Sequence, residues 1–287
     1  MSRRRLLCTD LDRTLLPNGD APESPGAREA FARVAAQDGL RLAYVTGRHL
    51  ALMEEAVVAW GLPEPDFAVT DVGTRIWARA GGRWSERRDW AEAIAADWAG
   101  RDHGALAALF DDLAVLHLQP DDRQAPHKLS YFVPLETGVA ALRDEMTGRL
   151  EARGVRAAWV WSVDEIENVG LLDILPAGAT KRHAVEFLAG DLGLGLADTL
   201  FAGDSGNDLE VLVSPVPAVL VANASDEVRR AAVHGAEHAG ASERLHLARG
   251  GLAGMNGNYA AGILEGVAHF WPGFFEQASI GREENTA

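Results

Sequence analysis

Apolar residues fall along this chain in two rhythms, and the rhythm changes twice. Short unbroken apolar runs at Leu6-Leu7-Cys8-Thr9 and Leu42-Ala43-Tyr44-Val45-Thr46, and a third over residues 66–73, predict buried strands. Runs this short, without alternation, suit strands covered on both faces. Between the first two, Ala27, Ala30, Phe31 and Val34 recur at helical spacing. Ser24-Pro25 offers that helix a capping hydroxyl and a first-turn proline, and Gly39 a stop. A second helix is expected over residues 50–60, ended by Gly61. The β-α-β-α-β order predicts a parallel sheet covered by helices.

Near residue 74 the rhythm changes. Residues 74–77 and Arg83-Trp84 flank Gly81-Gly82, the pattern of a hairpin. Helical segments follow at 91–98 and 105–113, strand-like runs at 113–118 and 129–133, a long helix at 137–153 and a strand at 157–163. The alternating pattern returns with a strand at 171–175. Thr180 is then expected to cap a helix through Lys181, Val185 and Leu188. Strands at 199–202 and 218–221, a helix from Asp208 and a last helix at 259–270 complete the pattern. The expected fold class is α/β: a Rossmann-like core with a parallel sheet, built from residues 1–79 and 171–287. An α+β cap over residues 80–170 is inserted into it.

A chain of 287 residues is long enough for this core and cap. A formal net charge of −15 argues against a nucleic-acid partner, because phosphate backbones are held by clustered Lys and Arg. It leaves room for a small phosphorylated substrate, whose charge one Lys, one Arg and a metal can neutralise. A single cysteine, Cys8, rules out an internal disulfide framework and suits a reducing compartment. Arg3-Arg4-Arg5 resembles the start of an export signal, but Asp10 and Asp12 break the apolar run behind it. No apolar stretch approaches the length of a membrane span. The protein is therefore expected in the cytoplasm.

The chemistry is carried by two acidic clusters, each ending an apolar strand. Asp10-Leu11-Asp12-Arg13-Thr14 follows the first, and Gly203-Asp204-Ser205-Gly206-Asn207-Asp208 follows the strand before it. In open α/β sheets, ligands bind at the carboxyl ends of the strands, so these clusters, Thr46 and Lys181 are expected to meet there. Two such clusters suggest one Mg²⁺ site. A carboxylate attacking phosphorus needs the phosphoryl charge neutralised, which a cation and a lysine do. The leaving alcohol needs a proton, which a second carboxyl supplies. Each residue alone has an ordinary explanation. Asp at a strand end is commonly a turn residue, Thr46 a strand former, Asp208 a helix cap, and Lys181 and Arg48 solvated side chains. Lys181 in a first turn opposes the helix dipole, which a bound anion would explain. Their joint occurrence in order is what carries weight.

That set resembles the haloacid dehalogenase superfamily of phosphotransferases, over nearly the whole chain. Its four motifs match Asp10-Leu11-Asp12-Arg13-Thr14, Thr46-Gly47-Arg48, Lys181, and Gly203 through Asp208. The resemblance implies that Asp10 is the nucleophile that becomes a phosphoaspartate and that Asp12 is the general acid and then the base. It implies that Thr46 and Lys181 hold the phosphoryl group. Mg²⁺ would bind Asp10, the Asp12 carbonyl and Asp204, with Asp208 binding directly or through water.

A finer resemblance is to the sucrose-6-phosphate phosphatases, through residues 42–48, residues 65–74, His127-Lys128-Leu129-Ser130-Tyr131 and residues 261–270. It implies a sugar-phosphate substrate, sucrose 6-phosphate first, and a sucrose-phosphate synthase in the same pathway. Gly47, Arg48, Lys128 and Asn207 are the expected substrate-binding residues. The segment Pro176-Ala177-Gly178-Ala179-Thr180-Lys181 departs from the Arg-Ser-Asn-Lys form seen in that group, and residues 250–258 look like extra sequence. Mannosylfructose-phosphate and glucosylglycerol-type phosphates therefore stay open as substrates, as does a phosphomutase reaction. A non-enzymatic binding module is disfavoured because every catalytic group is present. Six tryptophans, 77, 84, 90, 98, 159 and 161, lie in or beside the cap. They are expected mainly as cap core, with stacking on sugar as the alternative.

Overall fold

Leu6, Leu7 and Cys8 are fully buried on β1 (Arg5–Thr9), in the interior of an eight-stranded sheet. The computed structural model describes residues 4–164 and 167–278 of the protein. Residues 1–3 and 279–287 of the expected core, and 165–166 of the expected cap, lie outside them. From β1 the chain passes through α1 (Ala27–Ala35), β2 (Leu40–Val45), α2 (Leu50–Trp60) and β3 (Phe67–Thr70). Next come the hairpin β4 (Arg75–Ala80) and β5 (Arg83–Glu86), α3 (Arg88–Ala95) and α4 (His103–Ala107). β6 (His117–Leu118), β7 (Leu129–Val133), α5 (Val139–Glu151), β8 (Ala157–Asp164) and β9 (Val169–Pro176) follow. α6 (Lys181–Asp191), β10 (Thr199–Gly203), α7 (Leu209–Leu212), β11 (Ala218–Leu220), α8 (Asp226–His238), β12 (Leu245–Leu247), α9 (Ala260–Phe270) and α10 (Pro272–Gln277) complete the order.

The large sheet runs β12-β11-β10-β1-β2-β3-β4-β5. Pairing is parallel from β12 to β3 and antiparallel across β3, β4 and β5. Successive side chains on a strand point to opposite faces. Leu7 therefore joins Phe31 of α1, Met53 of α2 and Ile263 of α9 on one side. Leu6 and Cys8 join Trp90 of α3, Leu188 of α6 and Leu212 of α7 on the other. A second sheet, β6-β7-β9-β8, is antiparallel. It buries Leu129, Tyr131, Leu172 and Ile174 against Leu106 of α4 and Met146 of α5. This is the inserted cap.

Sheet membership moves both expected boundaries. β5 extends the core sheet, with Trp77 facing Glu86, and Trp90 and Ile94 of α3 are buried in the core. Conversely β9, read from sequence as the returning core strand, lies between β7 and β8 of the cap. A strand paired on both edges and buried gives the same unbroken apolar run as a parallel core strand, so periodicity cannot separate them. Smaller differences have local causes. Gly26, at φ 77°, occupies the N-cap of α1, while the Ser24 hydroxyl accepts from the Asn256 amide at 2.9 Å. Thr180 sits at the N-cap of α6, but its hydroxyl pairs with His183 Nδ1 at 2.8 Å. Of residues 113–118 only His117–Leu118 is strand; Leu113 and Leu116 pack on the cap core from turns.

Two features position the cap. Asp97, buried just before Trp98, accepts from the Gly178 amide at 2.7 Å through Oδ2. Its carbonyl accepts from the Arg156 amide at 2.7 Å, and its carboxylate meets the Arg156 guanidinium. The outgoing and returning chains are thereby tied at one residue. At the other end, β8 approaches the turn after β10: a Cβ on Gly206 would lie 3.2 Å from the Trp161 carbonyl oxygen.

Candidate active site

Asp10 and Asp204 meet because β1 and β10 are parallel neighbours with Thr9 opposite Ala202. Asp10 directly follows the end of β1 and Asp204 the end of β10, so both leave the sheet at the same edge, and the Asp10 amide still donates to the Ala202 carbonyl at 2.9 Å. After Asp10 the chain turns tightly: the amides of Thr14, Leu15 and Leu16 all donate to the Leu11 carbonyl. Arg13 takes a left-handed conformation, φ 60°. This turn brings the Thr14 hydroxyl to Asp204 Oδ1 at 2.9 Å and Arg13 Nε to Asp204 Oδ2 at 3.6 Å.

Asp208 folds back over the same edge. A Cβ on Gly203 would lie 2.6 Å from its carboxyl carbon, so glycine is required for that return. Asp208 Oδ2 accepts from the amides of Asp204 (3.0 Å) and Ser205 (3.1 Å). Its Oδ1 accepts from Lys181 Nζ at 2.7 Å. Lys181, the first residue of α6, is 1% exposed. It also donates to Asn207 Oδ1 at 2.9 Å and lies 3.1 Å from Asp10 Oδ1. Three partners match the three donors of its ammonium.

Asp10, Asp204 and Asp208 are all buried, and each brings one carboxylate oxygen within 4.8 Å of the others. Burial raises the Asp10 carboxyl well above its usual range; Lys181 opposes this, and Asp208 and Asp204 add to it. Burial and the Asp208 charge push Asp204 up to about 7. For Lys181, burial acts to lower the ammonium, but Asp10 and Asp208 outweigh it and hold it charged. Three carboxylates facing one lysine leave an excess of negative charge in a water-poor site. Clustered hard oxygen donors with excess negative charge fit a divalent cation such as Mg²⁺. Asp208 has both oxygens engaged by protein donors, so the open acceptor capacity belongs mainly to Asp10 and Asp204.

The Asp12 side chain lies outside this cluster. Its carboxylate is held by Arg48, and Asn18 Nδ2 donates to Oδ1 at 2.7 Å. Burial acts to raise it, but these donors outweigh burial and keep it below the usual carboxylate range. Thr46, at the end of β2, is fully buried, and its hydroxyl accepts from the Arg48 amide at 3.2 Å.

A cleft of about 710 Å³ opens over these groups, between the core and the cap. Asp10, Asp12, Gly47, Arg48, Asp204 and Asn207 line its core side. Thr46, Lys181 and Asp208 lie buried behind that lining. The cap side includes Lys128, Ser162 and Asp173. Lys128 is buried just before an interior strand, not exposed on an edge. Its Nζ donates to the Arg123 carbonyl at 2.9 Å and lies 3.7 Å from Asp173 Oδ1. No tryptophan is among the lining residues. Trp98 is buried in the cap core with Trp159 and Trp161 packed against it, and Trp90 in the main core. His269 stacks on His246 at 4.4 Å, away from the cleft lining.

A model of the sucrose-6F-phosphate phosphohydrolase family matches residues 3–271, nearly the whole chain. The chain belongs to that family. This places it among the phosphoric monoester hydrolases of the haloacid dehalogenase superfamily. A protein of Nitrosococcus oceani described as a HAD-like hydrolase is 48% identical over 99% of this chain and 76% of its own length. A mannosylfructose-phosphate phosphatase of Agrobacterium fabrum is 32% identical over 79% of this chain and 87% of its own length. The sucrose-phosphatase of Synechocystis sp. PCC6803, solved with sucrose and phosphate, superposes with a TM-score of 0.74 at 27% identity, covering 93% of this chain and 98% of that one. The chain spans 52–60% of the length of the sucrose-phosphatases of Arabidopsis thaliana and Nicotiana tabacum that it also matches.

Within the family frame, several neighbours of the expected groups come from outside the motifs. Asn18 reaches Asp12 from a loop. Asn223 donates to the Arg13 carbonyl at 2.6 Å and accepts from the Tyr259 amide at 2.9 Å, bracing the Asp12–Thr14 turn from beyond β11. Asp71 and Asp173 line the cleft. Only Asp71 lay within a segment already singled out, residues 65–74. The others depend on contacts between distant segments and have no local sequence signal.

Proposed function

We propose that this protein is a Mg²⁺-dependent phosphatase that removes phosphate from a sugar phosphate, with sucrose 6-phosphate as the leading substrate. The observation that carries this reading is the convergence of the Asp10, Asp204 and Asp208 carboxylates beside Lys181, at the mouth of a cleft that continues into a polar cap wall.

Asp10 is the nucleophile. Lys181 aims it and opposes the burial that favours its neutral form, and the ionised carboxylate oxygen attacks phosphorus as the bond from phosphorus to the sugar oxygen breaks. Asp12, ionised in the free site, would first take up a proton from substrate or solvent and then give it to that departing oxygen. In the second half, Asp12 takes a proton from water as the water attacks phosphorus, and inorganic phosphate leaves Asp10 free. Thr46, the Gly47 and Arg48 turn and Lys181 hold the phosphoryl oxygens. Asn207 and Lys128 meet the rest of the substrate. Asp10, Asp204 and the Asp12 carbonyl, with Asp208 behind them, would hold Mg²⁺, which would neutralise charge on the phosphoryl group. The cap excludes bulk water during the first half-reaction.

The family description supports sucrose 6-phosphate. The relative from Agrobacterium fabrum supports mannosylfructose-phosphate as the second reading. A sucrose-phosphate synthase supplying the substrate, and a cytoplasmic location, belong to the same proposal. No helix among the described residues is long and apolar enough to cross a membrane.

The test is phosphate release with Mg²⁺ across sucrose 6-phosphate, mannosylfructose-phosphate, glucosylglycerol-phosphate, glucose 6-phosphate and fructose 6-phosphate. A large kcat/KM preference for sucrose 6-phosphate supports the leading reading. A preference for another member reassigns the sugar. Conversion to an isomeric phosphate without free phosphate identifies a mutase instead.

A further inference from the structure

Directly after β3 the backbone enters the left-handed region three times in succession, at Asp71 (φ 54°), Val72 (φ 62°) and Gly73 (φ 111°). Glycine does this freely; a β-branched valine does not. Strain of this kind persists only where the surroundings fix it, and it clusters at functional sites. Here the surroundings are the phosphate-holding groups. The Asp71 amide donates to the Arg48 carbonyl at 3.1 Å, and the Val72 amide donates to the Thr46 carbonyl at 3.1 Å. Behind them, a Cβ on Gly73 would lie 2.5 Å from the Thr180 carbonyl carbon and 2.6 Å from the Lys181 amide nitrogen. The turn is wedged between the Thr46–Arg48 loop and the start of α6.

This arrangement fixes one side chain relative to the phosphate-holding loop. Asp71 is 2% exposed, yet it lines the cleft. An Asp that merely forms a turn bonds its own backbone. Neither Asp71 oxygen does so: Oδ2 accepts from the Thr70 hydroxyl at 2.9 Å, and no other hydrogen bond to the carboxylate is found among the described residues. A carboxylate offers about four acceptor positions. Lys128 of the cap is the first of the surrounding cations that act on it.

We propose that Asp71 is a specificity residue whose carboxylate accepts hydrogen bonds from hydroxyl groups on the sugar part of the substrate. The inference rests on the phosphatase reading and deepens it. The substrate it selects is a phosphoester of a polyhydroxylated alcohol, with free hydroxyls close to the phosphoryl group. A buried acceptor left unpaired discriminates against analogues that lack the donor, so an aryl phosphate gains nothing from Asp71.

The experiment compares wild type with Asp71→Asn and Asp71→Ala, all with Mg²⁺. Asn keeps the volume and tolerates the left-handed conformation. For each protein, kcat/KM is measured on the best sugar phosphate of the panel above and on p-nitrophenyl phosphate. The readout is the ratio of the two values, which cancels any loss of folded enzyme. That ratio is expected to fall about 10- to 100-fold in Asp71→Ala, the scale of hydrogen bonds to a charged group. It should fall by less in Asp71→Asn, which keeps one acceptor oxygen. A fall smaller than about fivefold in Asp71→Ala overturns the assignment, because a purely structural Asp71 lowers both activities together. Wild type inactive on every phosphomonoester overturns the phosphatase reading itself, and the assignment with it.

Discussion

Arg48 grips both oxygens of Asp12: Nε donates to Oδ2 at 2.7 Å and Nη2 donates to Oδ1 at 2.6 Å. A planar two-point contact of this kind favours the ionised carboxylate. The side chains are 28% and 40% exposed, so solvent screens the pair and its worth lies in orientation more than in stability. Because the folded Asp12 pKa is lowered, its stabilising effect is present above the usual carboxylate pKa and is lost as pH falls through the folded value. Replacing Arg48 with Gln removes the guanidinium and lets burial raise Asp12. The acidic limb of the kcat profile, where Asp12 must act as base, should then move to higher pH. Profiles for both proteins over about pH 4 to 9 decide the matter; coincident acidic limbs would separate Arg48 from Asp12 function.

Asp10→Asn removes the nucleophile without changing volume. Turnover is expected to fall by about a thousandfold or more. Stability should hardly change, because burial among Asp204 and Asp208 disfavours the charge that is removed, while Lys181 retains Asp208 and Asn207. The melting temperature should stay within about 3 °C of wild type. Retained phosphate release would sink the phosphoaspartate mechanism.

Metal binding should depend on pH in a definite direction. Burial and the Asp208 charge push the folded Asp204 carboxyl up to about 7, against an ordinary 3.8. A carboxyl with a raised folded pKa favours the folded state below the unfolded pKa, and this contribution is lost as pH rises through the folded value. The metal-free protein should therefore lose stability from this group between about pH 4 and about pH 7. Mg²⁺ binds the ionised form, so it should raise the melting temperature more at about pH 8 than at about pH 5.5. Equal shifts at both pH values, or activity that survives a chelator, would contradict the assignment of the ion to these carboxylates.

Gly73→Ala tests how tightly the left-handed turn supports α6. The added methyl would sit 2.5 Å from the Thr180 carbonyl carbon, closer than any real Cβ contact, so the start of α6 must move. Lys181 moves with it. A lower kcat and weaker inhibition by inorganic phosphate are expected, since Lys181 is proposed to hold the phosphoryl group. Unchanged phosphate inhibition would show that the helix start yields without displacing the lysine.

That the expected groups meet at one edge of the sheet was legible because each sits within a residue or two of a strand or helix end. Asp10, Thr46, Lys181 and Asp204 carry their positions in local sequence, and the parallel order of β1, β2 and β10 brings three of them to one edge. The boundary at β9 was not legible, because Leu171 to Leu175 has the same apolar run whether its partners are core or cap strands. Asp71 was hidden for a different reason: its conformation depends on Arg48, Thr46 and Gly73, and conformation leaves no trace in residue type. The tryptophans were expected mainly as cap core, but only Trp98, Trp159 and Trp161 pack there, while Trp77, Trp84 and Trp90 pack on the main core. Lys128 was matched to the family's cap segment, and its burial follows from the interior position of β7.

Asp97 joins the two crossing chains through Gly178 and Arg156. The segments that leave and re-enter the core therefore depend on one side chain: the Asp97 carboxylate holds the Gly178 amide and the Arg156 guanidinium together, so a change at this single residue reaches both ends of the insertion at once.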